Sequence, residues 1–229
     1  MTLPLVGRNM TPGGDSEDGP HRDQPLVTAG TDLGDAEAAL VLVHGRGATA
    51  QSILTMAETF HRPGVALLAP QAANSTWYPR SFLERVELNE PGRTSGLRAI
   101  DDAVSEATGA GVPLDRVVIL GFSQGGCLGS EYVARNPRGY GGAVAFSGGL
   151  VGQEIDPGEY KGNLAGMPFF LGCSDSDPHI PVERVEVTAT VLKRLNADVE
   201  KRIYPGMGHG VNDDEIEYVS GMVTDLVQG

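Results

Sequence analysis

Ser123, Asp177 and His209 are the residues whose types, order and surroundings point most directly to chemistry. Ser123 lies in Gly121-Phe122-Ser123-Gln124-Gly125. An apolar, β-branched run over residues 116–120 precedes it, and a stretch over 126–135 that reads as a helix follows. Gly-x-Ser-x-Gly between a strand and a helix is the pattern of a nucleophile elbow, a turn so tight that side chains on its flanks would collide. The turn lifts the serine to the strand tip, and the next helix aims its first amides toward it. The bland alternative is an ordinary Gly/Ser turn, which the strand–turn–helix context disfavours.

A serine hydroxyl is a poor nucleophile alone. It needs a base to take its proton and an acid to hold that base in one tautomer. In this kind of strand–turn–helix site the chain order is Ser, then Asp or Glu, then His. Two histidines follow Ser123. His209 sits in Gly206-Met207-Gly208-His209-Gly210, a turn after the last expected strand, and is the expected base. His179 sits in Asp177-Pro178-His179-Ile180-Pro181 and reads as a loop histidine lining the site. Asp175 and Asp177 both follow the strand expected at 167–171. Asp177 is favoured as the acid because Pro178 restricts its backbone to extended geometry. Its structural alternative is capping the helix that begins near Pro181.

The tetrahedral intermediate needs preorganised donors for its oxyanion. The amide of Gln124, just after the nucleophile, is one expected donor. The amide of Arg46, in His44-Gly45-Arg46-Gly47 after the first clear strand, is the other. His44 reads as an anchor for that loop. The long irregular stretch over residues 70–94 carries Trp77, Tyr78 and Phe82, which are expected to wall the substrate pocket.

These residues need a frame. Strands are expected at residues 39–43, 65–69, 116–120, 142–146, 167–171 and 199–204, with an edge strand at 26–29. Helices are expected at 49–60, 95–108, 126–135, 182–195 and 213–227. Short continuous apolar strands alternating with helices imply a doubly wound α/β sheet, mostly parallel and covered on both faces. Such sheets bind ligands beyond the carboxyl ends of their strands. The connection over 147–166 is too short for a large cap. Residues 1–24, rich in Pro, Gly and Asp, read as a flexible arm, and 25–229 as a single domain.

The 229-residue chain carries a net charge of −13, with 30 acidic residues and only three lysines, Lys161, Lys193 and Lys201. Nucleic acid is therefore not an expected partner, nor is stable insertion into an anionic membrane. The acidic, lysine-poor surface fits adaptation to salt and fits GC-rich codon usage equally well. Cys127 and Cys173 are too few for a disulfide framework, and residues 1–23 lack the features of a secretory signal. The expected compartment is the cytoplasm. The scattered histidines give no metal-ligand spacing, so no cofactor or metal is expected.

Five ordered motifs together carry a resemblance: His44-Gly45-Arg46-Gly47, Gly121 to Gly126, Ser147-Gly148-Gly149, Asp177 to Pro181, and Gly206-Met207-Gly208-His209. From about Ala39 onward the chain resembles the phospholipase/carboxylesterase family of α/β-hydrolases, which includes acyl-protein thioesterases. The resemblance implies an α/β-hydrolase fold, with Ser123, Asp177 and His209 matching the triad and Arg46 and Gln124 the oxyanion positions. It implies a serine carboxylesterase acting on a small-molecule ester; the short 147–166 connection and the Trp77, Tyr78 and Phe82 wall lead to an expectation of short to medium acyl chains, and a homodimer is allowed for. A thioesterase or lysophospholipase is the alternative within hydrolases. A non-catalytic binding protein on the same fold is the alternative outside them.

Overall fold

The structure, a computed structural model, describes residues 19–228. Seven strands form its sheet: β1 (Leu26–Gly30), β2 (Ala38–Val43), β3 (Val65–Pro70), β4 (Val117–Phe122), β5 (Gly142–Phe146), β6 (Pro168–Ser174) and β7 (Asp198–Tyr204). They lie in the order β1-β3-β2-β4-β5-β6-β7. The edge strand β1 runs antiparallel to β3, and every other pairing is parallel. Five helices cover it: α1 (Ala50–Ala57), α2 (Gly92–Gly109), α3 (Gln124–Arg135), α4 (Val182–Arg194) and α5 (Asp213–Gln228). This is the α/β-hydrolase fold, a mixed, mostly parallel sheet between two helical layers.

Period-two alternation along the strands builds the layers. In β2, Ala39, Val41 and Val43 face the core formed with α2, α3 and α4, whereas Ala38, Leu40 and Leu42 face the core formed with α1 and α5. All six are fully buried, so β2 reads as continuous apolar sequence rather than as alternation. The sheet's carboxyl edge gathers the loops that follow β2, β4, β6 and β7, which carry Arg46, Ser123, Asp177 and His209.

Helix α1 is shorter than its apolar pattern suggests. A capping box starts it: the Thr49 hydroxyl accepts from the Ser52 amide, and the Ser52 hydroxyl accepts from the Thr49 amide. Helix α3 begins at Gln124, two residues earlier than expected, because the elbow occupies one residue only. Between β5 and β6 lie a single 3-10 turn (Pro157–Glu159) and no cap. That connection is held from beneath by Arg184, whose guanidinium donates to the carbonyls of Leu150 and Gly152, each at 2.7 Å.

Residues 1–18 of the expected arm lie outside the described residues. The remainder is part of the fold. His21 is buried, its amide donates to Ser95 Oγ (2.9 Å) and its ring donates to the Trp77 carbonyl (2.9 Å) while accepting from the Ala73 amide (3.0 Å). Burial lowers its pKa, against the raising effect of the Trp77 and Gly92 backbone, and the ring that accepts from Ala73 serves as a neutral clamp on the 73–77 segment.

Candidate active site

Ser123 sits alone between β4 and α3, with φ 56° and ψ −121°. A positive φ at a non-glycine residue is a strained conformation, held only where the surroundings over-determine it. The surroundings here are close. A Cβ on Gly121 would lie 2.3 Å from the Gly125 carbonyl oxygen, and one on Gly125 would lie 2.0 Å from the carbonyl oxygen of Val43. Both contacts are with backbone, so only glycine permits α3 to pack this tightly against β2 and β4. The Ser123 amide donates to the Phe146 carbonyl (2.9 Å), which ties the elbow to β5.

Ser123 Oγ lies 2.9 Å from His209 Nε2, and His209 Nδ1 lies 2.8 Å from Asp177 Oδ2. An ionised carboxylate only accepts, so Nδ1 carries the proton and Nε2 is left to accept from the serine hydroxyl. The Asp177 side chain is fully buried. Its other oxygen, Oδ1, accepts from the amides of His179 (2.8 Å) and Ile180 (3.1 Å). Burial raises the Asp177 pKa, but the hydrogen bonds from His209, His179 and Ile180 outweigh it and hold the carboxyl below its ordinary value.

Asp175 does not reach the imidazole. Its carboxylate accepts from the Gly206 amide (2.8 Å), and the neighbouring Ser174 hydroxyl accepts from the Gly208 amide (3.0 Å). The two residues pin the loop that carries His209. His179 packs edge-on against the His209 ring, with centroids 4.8 Å apart, and lines the cleft.

The loop after β2 approaches from the other side. A Cβ on Gly45 would lie 3.4 Å from Ser123 Cβ, so Arg46 follows directly beside Ser123. His44 is buried, with Nδ1 donating to the Gly45 carbonyl (2.8 Å) and Nε2 accepting from the Ala72 amide (3.1 Å). Burial lowers its pKa, opposed by the Gly45 contact, and the neutral ring anchors the loop.

Ser123, Gln124, Arg46, His179 and His209 line a cleft of about 530 Å³. Tyr78 and Phe82 line it, as do Pro79, Arg80 and Ile180. Trp77 stands apart from the expected wall. It is fully buried, and its indole N–H donates to the His44 carbonyl (2.8 Å), so it packs beneath the β2 loop rather than in the cleft.

Two roles escaped the sequence reading. The Gln124 side chain accepts from the Trp77 amide (2.9 Å) and donates to the Tyr78 carbonyl (2.9 Å), fixing the wall to the start of α3. The Arg46 guanidinium donates to the carbonyls of Tyr78 (2.9 Å), Pro79 (3.1 Å) and Arg80 (2.6 Å), strapping the same wall to the β2 loop. The only sequence signal was polar side chains at positions singled out for their amides.

Known proteins share this architecture. A phospholipase/carboxylesterase of Dyadobacter fermentans is 40% identical, superposes with a TM-score of 0.85, and is matched over 88% of this chain and 96% of its own. A Bacillus cereus carboxylesterase shares the fold at 19% identity and a TM-score of 0.72, over 90% and 95%. The acyl-protein thioesterase 1 of Neurospora crassa is 23% identical over 82% of this chain and 86% of its own. The phospholipase/carboxylesterase family model matches residues 27–225. With that match spanning the sheet, the elbow and the loops that meet at it, the chain belongs to the phospholipase/carboxylesterase family of α/β-hydrolases.

Proposed function

We propose that this protein is a serine esterase that hydrolyses carboxylic esters of short to medium acyl chain through an acyl-enzyme. The observation that carries this reading is the unbroken relay from Ser123 Oγ to His209 to Asp177, at 2.9 and 2.8 Å, on the floor of an open cleft. Ser123 Oγ attacks the ester carbonyl as His209 Nε2 takes its proton. Asp177 holds the ring and stabilises the imidazolium. The carbonyl oxygen becomes an oxyanion that accepts from the amides of Gln124 and Arg46. Gly47 and Ala48, next in that loop, already donate their amides to Ser75 and Gly45, which favours Arg46 as the donor. When the tetrahedral intermediate collapses, the C–O bond to the alcohol breaks and His209 returns the proton to the departing oxygen. Water then attacks the acyl-enzyme, giving its proton to His209, and the acid leaves as Ser123 recovers its hydrogen.

The cleft supports the chain-length assignment. Phe82 and Ile180 line it, and among the described residues no cap extends it. Each buried methylene contributes about 0.8 kcal/mol, so kcat/KM should climb with acyl length until the cleft is full and then fall. A series of alkyl esters from acetate to long-chain acyl groups tests this. A value that keeps climbing through the long chains contradicts it. The likeness to the Neurospora thioesterase gives the second reading, thioester hydrolysis by the same relay. Matched thioesters in the series separate the two.

A further inference from the structure

The cleft differs in charge from the rest of the molecule. The chain as a whole carries −13. Yet Arg46, Arg80, His179 and His209 line the cleft, and among the described residues no aspartate or glutamate does. Asp177 is the nearby carboxylate, and it lies fully buried behind His209, engaged with it.

The two arginines differ in what they are free to do. Arg46 is committed to three carbonyls of the wall. The backbone of Arg80 is pinned on both sides, its carbonyl by Arg46 and its amide by Asn89 Oδ1 (2.9 Å). Its guanidinium pairs with no carboxylate among the described residues. A fixed backbone thus presents an unpaired, planar cation at the cleft.

We infer that the ester substrate carries an anionic oxygen group, carboxylate or phosphate, recognised by the guanidinium of Arg80. The guanidinium fork matches either group in geometry and charge. This rests on the esterase reading and names its substrate class.

The test uses two matched pairs of substrates. Ethyl hexanoate and monoethyl adipate share acyl length and differ by a carboxylate on the acyl side. Monobutyrylglycerol and its glycerol phosphate counterpart differ by a phosphate on the alcohol side. Assays run at about pH 7.5, where a carboxylate is ionised, and in about 0.15 M salt, where a Debye length of about 8 Å mutes the distant surface. The anionic member of one pair is expected to have the higher kcat/KM, by about ten-fold, the ratio that about 1.4 kcal/mol produces. Which pair responds tells carboxylate from phosphate. Arg80→Gln should lower that ratio by a similar factor, and Arg80→Lys should keep most of it. No preference in either pair, with neutral esters turned over, overturns the inference and leaves the esterase reading standing. A preference that Arg80→Gln preserves overturns the role of Arg80. Absence of any ester turnover together with absence of fluorophosphonate labelling overturns the esterase reading and this inference with it.

Discussion

His209 Nδ1 lies 2.8 Å from Asp177 Oδ2, while Asp175, two residues earlier, turns away to accept from the Gly206 amide. Asp177→Asn should leave the fold intact and lower kcat by about ten-thousand-fold, because an amide can hold the imidazole in the wrong tautomer. Asp175→Asn should cost far less, since it only loosens the loop that carries His209. Steady-state kinetics on the two variants decide the assignment. A large loss in Asp175→Asn with a small one in Asp177→Asn contradicts it.

Gly125 meets the β2 backbone so closely that a Cβ there would lie 2.0 Å from the Val43 carbonyl oxygen. Gly125→Ala should therefore destabilise the protein at the upper end of about 1–3 kcal/mol or beyond, because neither backbone segment has room to yield. Thermal melting reads the effect. A melting temperature equal to wild type contradicts the packing described here.

The elbow was legible because it makes an unusual demand, glycine on both sides of a serine between strand and helix. The strands and helices were legible because each buries one face or both, which leaves continuous or periodic apolar runs. The 70–94 segment was not legible, because irregular backbone has no period to say which side chains face the cleft. Tyr78 and Phe82 reached it, whereas Trp77 turned beneath the β2 loop to find an acceptor for its indole N–H. The same holds for Arg46 and Gln124, whose side chains act across distances in sequence that no local pattern encodes. Glu131 of α3 is another case: it is fully buried between Arg93 and Arg135 and also accepts from the Tyr160 hydroxyl, and of these partners Arg93 and Tyr160 lie far from it in sequence.

Glu215 supplies a prediction about pH. Its side chain is fully buried, one oxygen accepts from the Asn212 amide (2.9 Å), and the other has no partner. Burial pushes its carboxyl up to about 7, with the Asn212 amide opposing and the Asp214 charge assisting. Between its unfolded value near 4.5 and about 7, the folded chain holds a proton that the unfolded chain has released. The stabilisation is therefore full below about 4.5 and is lost as pH rises through about 7, on the order of 3 kcal/mol in all. From about pH 5 to pH 8 the melting temperature of the wild type should fall relative to that of Glu215→Gln, which has no proton to lose. Parallel pH dependences for the two proteins contradict this.

The central claim is that Ser123 is the nucleophile. Wild-type protein and Ser123→Ala are each incubated with a fluorophosphonate, the adducts are followed by intact mass, and ester turnover is measured on the same samples. The account predicts one stoichiometric adduct on wild type, none on a folded Ser123→Ala, and a loss of turnover of about a million-fold. Labelling or near wild-type turnover in folded Ser123→Ala would contradict it.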